Sequence, residues 1–110
     1  MAMSRVPFAH ASEAELARLF DFYRVAWEYE PRSFPIAWNE QGRPVEFFTP
    51  DFYLPEHDLY IEVTVAKPAR NTRKNRKLRL MRSHHPYVTV KLFTRRDVER
   101  VFSRSMKRAS

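Results

Sequence analysis

The chain has 110 residues, of which 44% are hydrophobic and 15% aromatic, which is enough for one core and too few for two domains. It contains no cysteine, which excludes disulfides and thiolate zinc sites and favours a reducing, cytoplasmic location. No segment approaches the roughly 20 consecutive apolar residues that a membrane span needs. A single soluble domain over residues 1–110, with no membrane partner, is therefore expected.

The net charge of +7 is distributed unevenly along the chain. Residues 1–62 carry eleven Asp or Glu and five Lys or Arg, whereas residues 63–110 carry two and fifteen. Such a basic half is typical of a protein that neutralises phosphates, so we expect a nucleic-acid partner. The alternative is a solvated basic surface with no such partner.

The first half of the chain predicts one helix and three strands. Residues 1–11 indicate a flexible N-terminal arm, and apolar residues at helical spacing predict a helix from about Ser12 to Ala26, with Ser12 as the N-cap and Glu15 as its capping-box partner. Three extended segments then predict antiparallel strands: residues 28–38, 43–54 and 59–65.

The second half predicts a helix from Thr72 to about His84, a strand over Tyr87 to Phe93 and a closing helix over about Thr94 to Met106. The order of elements is therefore helix, three-stranded meander, helix, strand, helix. This order predicts an α/β fold in which a mixed four-stranded sheet is flanked by helices.

The predicted turn before residue 59 places two acids opposite each other. If the turn is centred between Glu56 and His57, residues whose numbers add to 113 are partners, so Asp51 faces Glu62. Alternation puts Thr49, Tyr53, Tyr60 and Thr64 on the same face as these acids. The opposite face is predicted to form the core, from Phe48, Phe52, Leu54, Leu59, Ile61, Val63 and Val65.

Two opposed carboxylates on neighbouring strands repel each other, and a divalent cation between them is the simplest compensation. Mg²⁺, with Mn²⁺ as a substitute, fits this pair because it prefers oxygen ligands and commonly binds through one or two carboxylates and a phosphate. The alternative is that Asp51 or Glu62 lies at the surface or pairs with an arginine.

A third acidic ligand is expected from the first helix. Glu13 lies three and seven residues from the apolar positions Leu16 and Phe20, so it is nearer the buried side than Glu15. Glu15 already has a structural explanation as the capping partner of Ser12. We therefore favour Glu13, although a first-turn charge at the helix dipole would explain it as well.

The second helix carries Lys74 and Lys77 on the same side as its apolar residues, so both are expected to point toward the sheet near Glu62. There a cation could polarise water or hold a phosphate, or both lysines could bind phosphate non-specifically. The candidate nucleic-acid-binding residues are Lys67, Arg70, Arg73, Lys74, Arg76 and Lys77. Four aromatic residues are expected in the core rather than as base-stacking platforms: Trp27, Tyr29, Trp38 and Phe47.

Taken together, Thr49-Pro50-Asp51, then Ile61-Glu62-Val63-Thr64, after a helix with an early Glu, resemble the PD-(D/E)XK nuclease superfamily. Within it, four segments are similar to the phage Holliday-junction resolvases of the endonuclease I type: Ser12-Glu13, Trp27-Glu28-Tyr29-Glu30, Thr49-Pro50-Asp51-Phe52-Tyr53-Leu54-Pro55 and Ile61-Glu62-Val63.

The resemblance implies a restriction-endonuclease-like αβββαβ core and a Mg²⁺-dependent DNA endonuclease. It implies that Asp51 and Glu62 hold the metal, that Glu13 assists, and that water attacks phosphorus in line. The family's lysine two residues after the second acid is Thr64 here, so either Lys74 or Lys77 replaces it or the domain is inactive.

Two other readings of the chain stay open. A non-catalytic nucleic-acid-binding domain is one, and a module that binds a protein partner, as a homodimer or within a larger complex, is the other.

Overall fold

The computed structural model describes residues 6–65 and 72–109. Its elements, in chain order, are α1 (Ala11–Phe22), β1 (Glu28–Tyr29), β2 (Phe34–Trp38), β3 (Pro44–Phe48), β4 (Phe52–Leu54), β5 (Leu59–Val63), α2 (Thr72–His84), β6 (Val90–Phe93) and α3 (Arg95–Ala109).

The strands form a mixed four-stranded sheet in the order β1-β4-β5-β6 and a separate hairpin of β2 and β3. β4 is antiparallel to both β1 and β5, whereas β6 is parallel to β5. A parallel pair needs a crossover connection, and α2 lies within it. The β2–β3 hairpin is inserted between β1 and β4, which pair with each other. The chain is therefore of the mixed α/β class expected from its order of elements.

The two long strands expected over residues 28–38 and 43–54 are wrong, because each is two short strands in different sheets. β1 ends where Glu30 adopts a left-handed φ of 45° before Pro31. β3 and β4 are separated at Thr49-Pro50, where proline has no amide hydrogen for a ladder. The strands expected over 59–65 and 87–93 are also shorter, and the latter begins only after a turn at 86–88.

The ends of α1 differ from the expected helix 12–26. It begins at Ala11 after His10, so Ser12 is helical and is not the N-cap. Glu15 therefore does not act as a capping partner of Ser12. Instead, Glu15 Oε1 lies 2.5 Å from Arg95 Nη1. The helix ends at Phe22, and Arg24 adopts a left-handed φ of 59°.

The described part of the expected N-terminal arm packs onto the sheet. The Phe8 ring lies 4.8 Å from the Tyr29 ring and 5.9 Å from the Trp27 ring, measured between centroids. The flexibility expected of residues 1–11 stays a prediction, and residues 1–5 lie outside the described part.

Both faces of the four-stranded sheet are covered. One face packs against α1 and α3 through a core of Leu16, Ala17, Phe20, Val25, Phe52, Leu54, Ile61, Val63, Phe93, Val98 and Phe102. The other face packs against α2 and the β2–β3 hairpin through Phe34, Ile36, Phe48, Leu78, Met81 and Val90.

The predicted core face is therefore right for the strand residues of β4 and β5 and wrong at its two ends. Phe48 belongs to the second core because β3 leaves the sheet. Val65 is 83% exposed because β5 stops at Val63. None of the helices within residues 6–65 and 72–109 has the length and apolar character needed to cross a membrane.

Phe52 is fully buried, and its ring meets those of Phe8, Phe20, Trp27 and Tyr29. Phe52→Ala is expected to lower the free energy of unfolding by about 3–5 kcal/mol, because it leaves a cavity among these rings. Urea denaturation measures this. Phe22→Ala removes a ring that is 66% exposed and should change stability by less than about 1 kcal/mol. Equal losses for both variants would contradict the assigned core.

Candidate acidic site

Asp51 and Glu62 meet on the sheet face covered by α2. The pairing of Phe52 with Ile61 and of Tyr53 with Tyr60 is the register expected from the sequence, and it places Asp51, just before β4, beside Glu62 in β5. Asp51 is 7% exposed and Glu62 9%. Asp51 Oδ2 accepts a hydrogen bond of 2.8 Å from the Val63 amide. Both carboxylates are therefore held away from bulk water.

The burial of this pair perturbs its protonation. Burial, reinforced by the negative charge of Glu62, raises the pKa of Asp51 from 3.8 to about 8. Burial also raises the pKa of Glu62, against the lowering effect of Lys74. Within the described residues, Glu62 Oε1 is buried and has no hydrogen-bond partner. The Asp51 carboxyl therefore binds a proton more readily than a free carboxyl does, because two ionised carboxylates are unfavourable at this buried pair.

Lys74 is the cation that reaches the acids. Its ammonium group donates a hydrogen bond to the Val63 carbonyl and lies 3.4 Å from Glu62 Oε2. Leu78 and Met81 are the buried residues of α2, and Lys74 lies one turn before Leu78 on the same side of the helix. The structure therefore brings Lys74 to Glu62, whereas Lys77 lines the adjoining cavity.

Thr64, two residues after Glu62, is 4% exposed and carries no charge. Lys74 reaches the same acid from α2 instead. A cation therefore lies beside Glu62 although the strand itself supplies none.

Glu13 points inward from the first turn of α1 and is 5% exposed. The Tyr29 hydroxyl donates to Glu13 Oε1 at 2.5 Å and accepts from the Ala9 amide at 3.1 Å. Burial and the Glu13 carboxylate raise the pKa of Tyr29. The charge of Glu13 also contributes to the raised pKa of Asp51, so Glu13 acts electrostatically on the acid pair.

In the part of the chain that the structure describes, no three His, Asp or Glu side chains converge closely enough to hold a metal ion. Asp51 and Glu62 form a pair of carboxylates, and Glu13 is engaged by Tyr29. Glu13 as a direct metal ligand stays a prediction.

A cavity of about 350 Å³ leads from solvent to Glu62, between β3 and the start of α2. Its lining residues are Phe47, Phe48, Thr49, Glu62, Arg73, Lys74 and Lys77. We refer to it as the acidic-site cleft. Arg76 on α2 donates two hydrogen bonds, of 2.9 and 3.1 Å, to the Glu46 carboxylate on β3 and so joins the two walls.

The candidate nucleic-acid-binding residues fall into three groups. Arg73, Lys74 and Lys77 line the cleft. Arg76 pairs with Glu46 instead of standing alone at the surface. Lys67 and Arg70 lie outside the described residues.

The aromatic residues divide differently from expectation. Trp27 and Tyr29 are partly buried against the first core, as expected. Trp38 and Phe47 are 40% and 48% exposed, so their placement in the core is wrong. Phe47 lies on the outer side of the hairpin, whereas Trp38 is at the end of β2, where its ring contacts His84 and is partly exposed to solvent.

The two adjacent histidines at the end of α2, His84 and His85, diverge, so they do not form a joint site. The His84 ring packs on Trp38 at 4.7 Å between centroids. His85 Nε2 lies 2.7 Å from the Pro35 carbonyl oxygen.

Sequence reasoning missed Tyr29 as the partner of Glu13, and missed Phe47 and Thr49 as walls of the cleft. Tyr29 lies in a strand of two residues, too short to give an alternation signal. Phe47 and Thr49 reach the cleft only because the hairpin leaves the sheet.

Comparison of the chain with protein-family models, with curated proteins and with solved structures found no significant match. The chemistry of the site therefore has to be judged from its own residues.

Stability should fall with increasing pH when no divalent cation is present. The pKa of Asp51 rises from 3.8 in its ordinary environment to about 8 in the fold, so between these values the folded chain binds more protons than the unfolded chain. The contribution of Asp51 to the free energy of unfolding is therefore greatest below about pH 4 and is lost as the pH rises toward 8. Thermal melts of the wild type across this range, in EDTA, measure the slope.

Asp51→Asn should remove most of that slope, because the amide keeps an acceptor for the Val63 amide but cannot ionise. Glu40→Gln, in the exposed turn of the hairpin, should leave the slope unchanged. A slope that is the same in wild type and Asp51→Asn would show that another group causes it.

Proposed function

We propose that this chain is a metal-dependent endonuclease that hydrolyses phosphodiester bonds of DNA. The observation that carries the proposal is the buried pair Asp51 and Glu62, with the Lys74 ammonium 3.4 Å from Glu62, at the end of a cleft walled by further cations. One site thus combines acidic side chains suited to a cation with basic side chains suited to a phosphate.

The residues fit a hard divalent cation, Mg²⁺ or, as a substitute, Mn²⁺. Glu62 Oε1 is buried without a hydrogen-bond partner among the described residues, and burial together with the charge of Glu62 raises the pKa of Asp51. Asp51 and Glu62 would hold the ion, and one or two carboxylates suffice when a substrate phosphate completes the ligand set. When bound, such an ion supplies Lewis-acid stabilisation of charge that develops on the phosphoryl oxygens.

Lys74 is assigned the role of the family lysine. Its ammonium group is fixed by the Val63 carbonyl and by Glu62, and it faces the cleft. A positive charge held there is suited to stabilise the scissile phosphate as charge develops in the transition state. Lys77 and Arg73, farther along the same cleft, are assigned to binding of the phosphate backbone.

Glu13 is assigned an indirect role. Its carboxylate is fixed by Tyr29, and its charge raises the pKa of Asp51. The added negative potential favours a cation at the acid pair. This is the role that the helix acid has in the proposed PD-(D/E)XK relationship, which rests on the sequence pattern and on the mixed sheet with flanking helices.

DNA is the proposed partner because charge is segregated at the cleft. α2 has no acidic residue and carries Arg73, Lys74, Arg76, Lys77, Arg79 and Arg82. Cations at this density attract a polyanion and make its binding dependent on salt concentration.

Asp51→Asn is expected to reduce DNA cleavage by at least about a hundredfold, because one of two carboxylates that hold the ion is lost. Cleavage of single-stranded, duplex and branched DNA in Mg²⁺ or Mn²⁺ measures this, and calorimetric titration of the ion should show weaker binding by the same variant. Glu40→Gln should retain full cleavage. Wild-type protein that cuts no substrate better than Asp51→Asn would refute the nuclease.

Lys74→Ala is expected to lower the single-turnover cleavage rate by about 10²-fold, the loss typical of a removed charge-stabilising donor. Lys77→Ala should mainly weaken DNA binding, and Lys91→Ala, on exposed β6, should change neither. A thermal melt checks that each variant is folded. If Lys77→Ala and Lys74→Ala exchanged these effects, Lys77 would be the catalytic lysine.

A second candidate function is DNA binding without cleavage, and the uncharged Thr64 at the family's lysine position favours it. In that case wild-type protein would bind DNA with a steep dependence on salt concentration, and no divalent ion would produce cleavage.

A further inference from the structure

Glu62 is the acid that the acidic-site cleft reaches. Asp51 and Glu62 are 7% and 9% exposed, and the cleft has a volume of about 350 Å³. The Glu46–Arg76 pair fixes one point of the opening, because it joins β3 to α2. A phosphate that reaches Glu62 through this cleft therefore passes between β3 and the start of α2.

The wall formed by β3 presents an aromatic ring where the cleft meets solvent. Phe48 is buried in the second core, so strand alternation directs Phe47 to the outer side of the hairpin. Phe47 is 48% exposed and still lines the cleft. Across the cleft lie the cations Arg73, Lys74 and Lys77. An exposed ring on one side and phosphate-binding charges on the other are the two components of a single-strand binding groove.

We propose that the acidic-site cleft takes an unpaired DNA strand, with its phosphates along the start of α2 and a base stacked on Phe47. This inference rests on the proposed nuclease function and adds its substrate class, namely single-stranded DNA or the unpaired part of a branched molecule. Phe47 is then the residue that selects unpaired over paired DNA.

The test is fluorescence anisotropy with two labelled DNA probes: an unpaired oligonucleotide, and a hairpin whose duplex stem contains the same sequence. EDTA is present to prevent cleavage. Wild-type protein should bind the single strand at least about fivefold more tightly than the duplex, in keeping with one base stacked on an aromatic ring. Phe47→Ala should lose about tenfold in single-strand affinity and less than about twofold in duplex affinity.

Two further variants separate stacking from general effects on the hairpin. Phe47→Tyr keeps an aromatic face and should retain the single-strand preference. Val45→Ala alters a 60% exposed residue on the same outer side of the hairpin and should leave both affinities unchanged. An RNA strand of the same sequence gives the comparison of DNA with RNA, and tighter binding of RNA would overturn the choice of DNA.

The outcomes distinguish this inference from the nuclease itself. DNA cleavage that depends on Asp51 supports the nuclease. If Phe47→Ala then lowers the affinities for single strand and duplex equally, or lowers neither affinity, the inference is overturned and the nuclease stands. Phe47-dependent binding of single strands without cleavage supports the inference and refutes the enzyme. An absence of binding to every nucleic acid overturns both.

Discussion

The main constraint on this structure is that two carboxylates, Asp51 and Glu62, lie side by side on a sheet face that is covered by α2. Two buried carboxylates at adjoining positions are costly, as the pKa of about 8 for Asp51 reflects. The fold compensates only part of this cost, through the Val63 amide on Asp51 and the Lys74 ammonium on Glu62. A site that stays electrostatically incomplete in the folded chain is suited to a cation and a phosphate, which complete it together.

The acid pair and Lys74 could be predicted from the sequence because their positions depend on local geometry. A tight turn between Leu54 and Leu59 fixes the register of β4 and β5, and the register alone makes Asp51 and Glu62 neighbours. The helical spacing between Lys74 and the buried Leu78 similarly predicts that Lys74 faces the sheet. Both arguments need only the periodicity of one element or one hairpin, and neither depends on how distant parts of the chain pack.

The features that sequence reasoning missed depend on distant packing. Pairing of β1 with β4 brings Tyr29 to Glu13, yet β1 has only two residues and leaves no pattern. The departure of β2 and β3 from the main sheet was hidden because most residues of 28–38 and 43–54 do lie in strands, which differ in their partners. Proline at position 50 marks the separation of β3 from β4, but proline is equally compatible with an edge strand. The exposure of Phe47 follows from the same departure.

Both walls of the cleft are insertions between strands that pair with each other: the hairpin between β1 and β4, and α2 between β5 and β6. Glu62 belongs to the sheet and Asp51 directly precedes β4, whereas Phe47 and the cations of the cleft belong to the inserted segments. On the hairpin, the inward residues Phe34, Ile36 and Phe48 are constrained by the second core, while Val45 and Phe47 face outward. The residues at these outward positions can be substituted over evolutionary time without disturbing the core. For the proposed nuclease, the outward hairpin residues that would contact a substrate can therefore vary while the acid pair is retained.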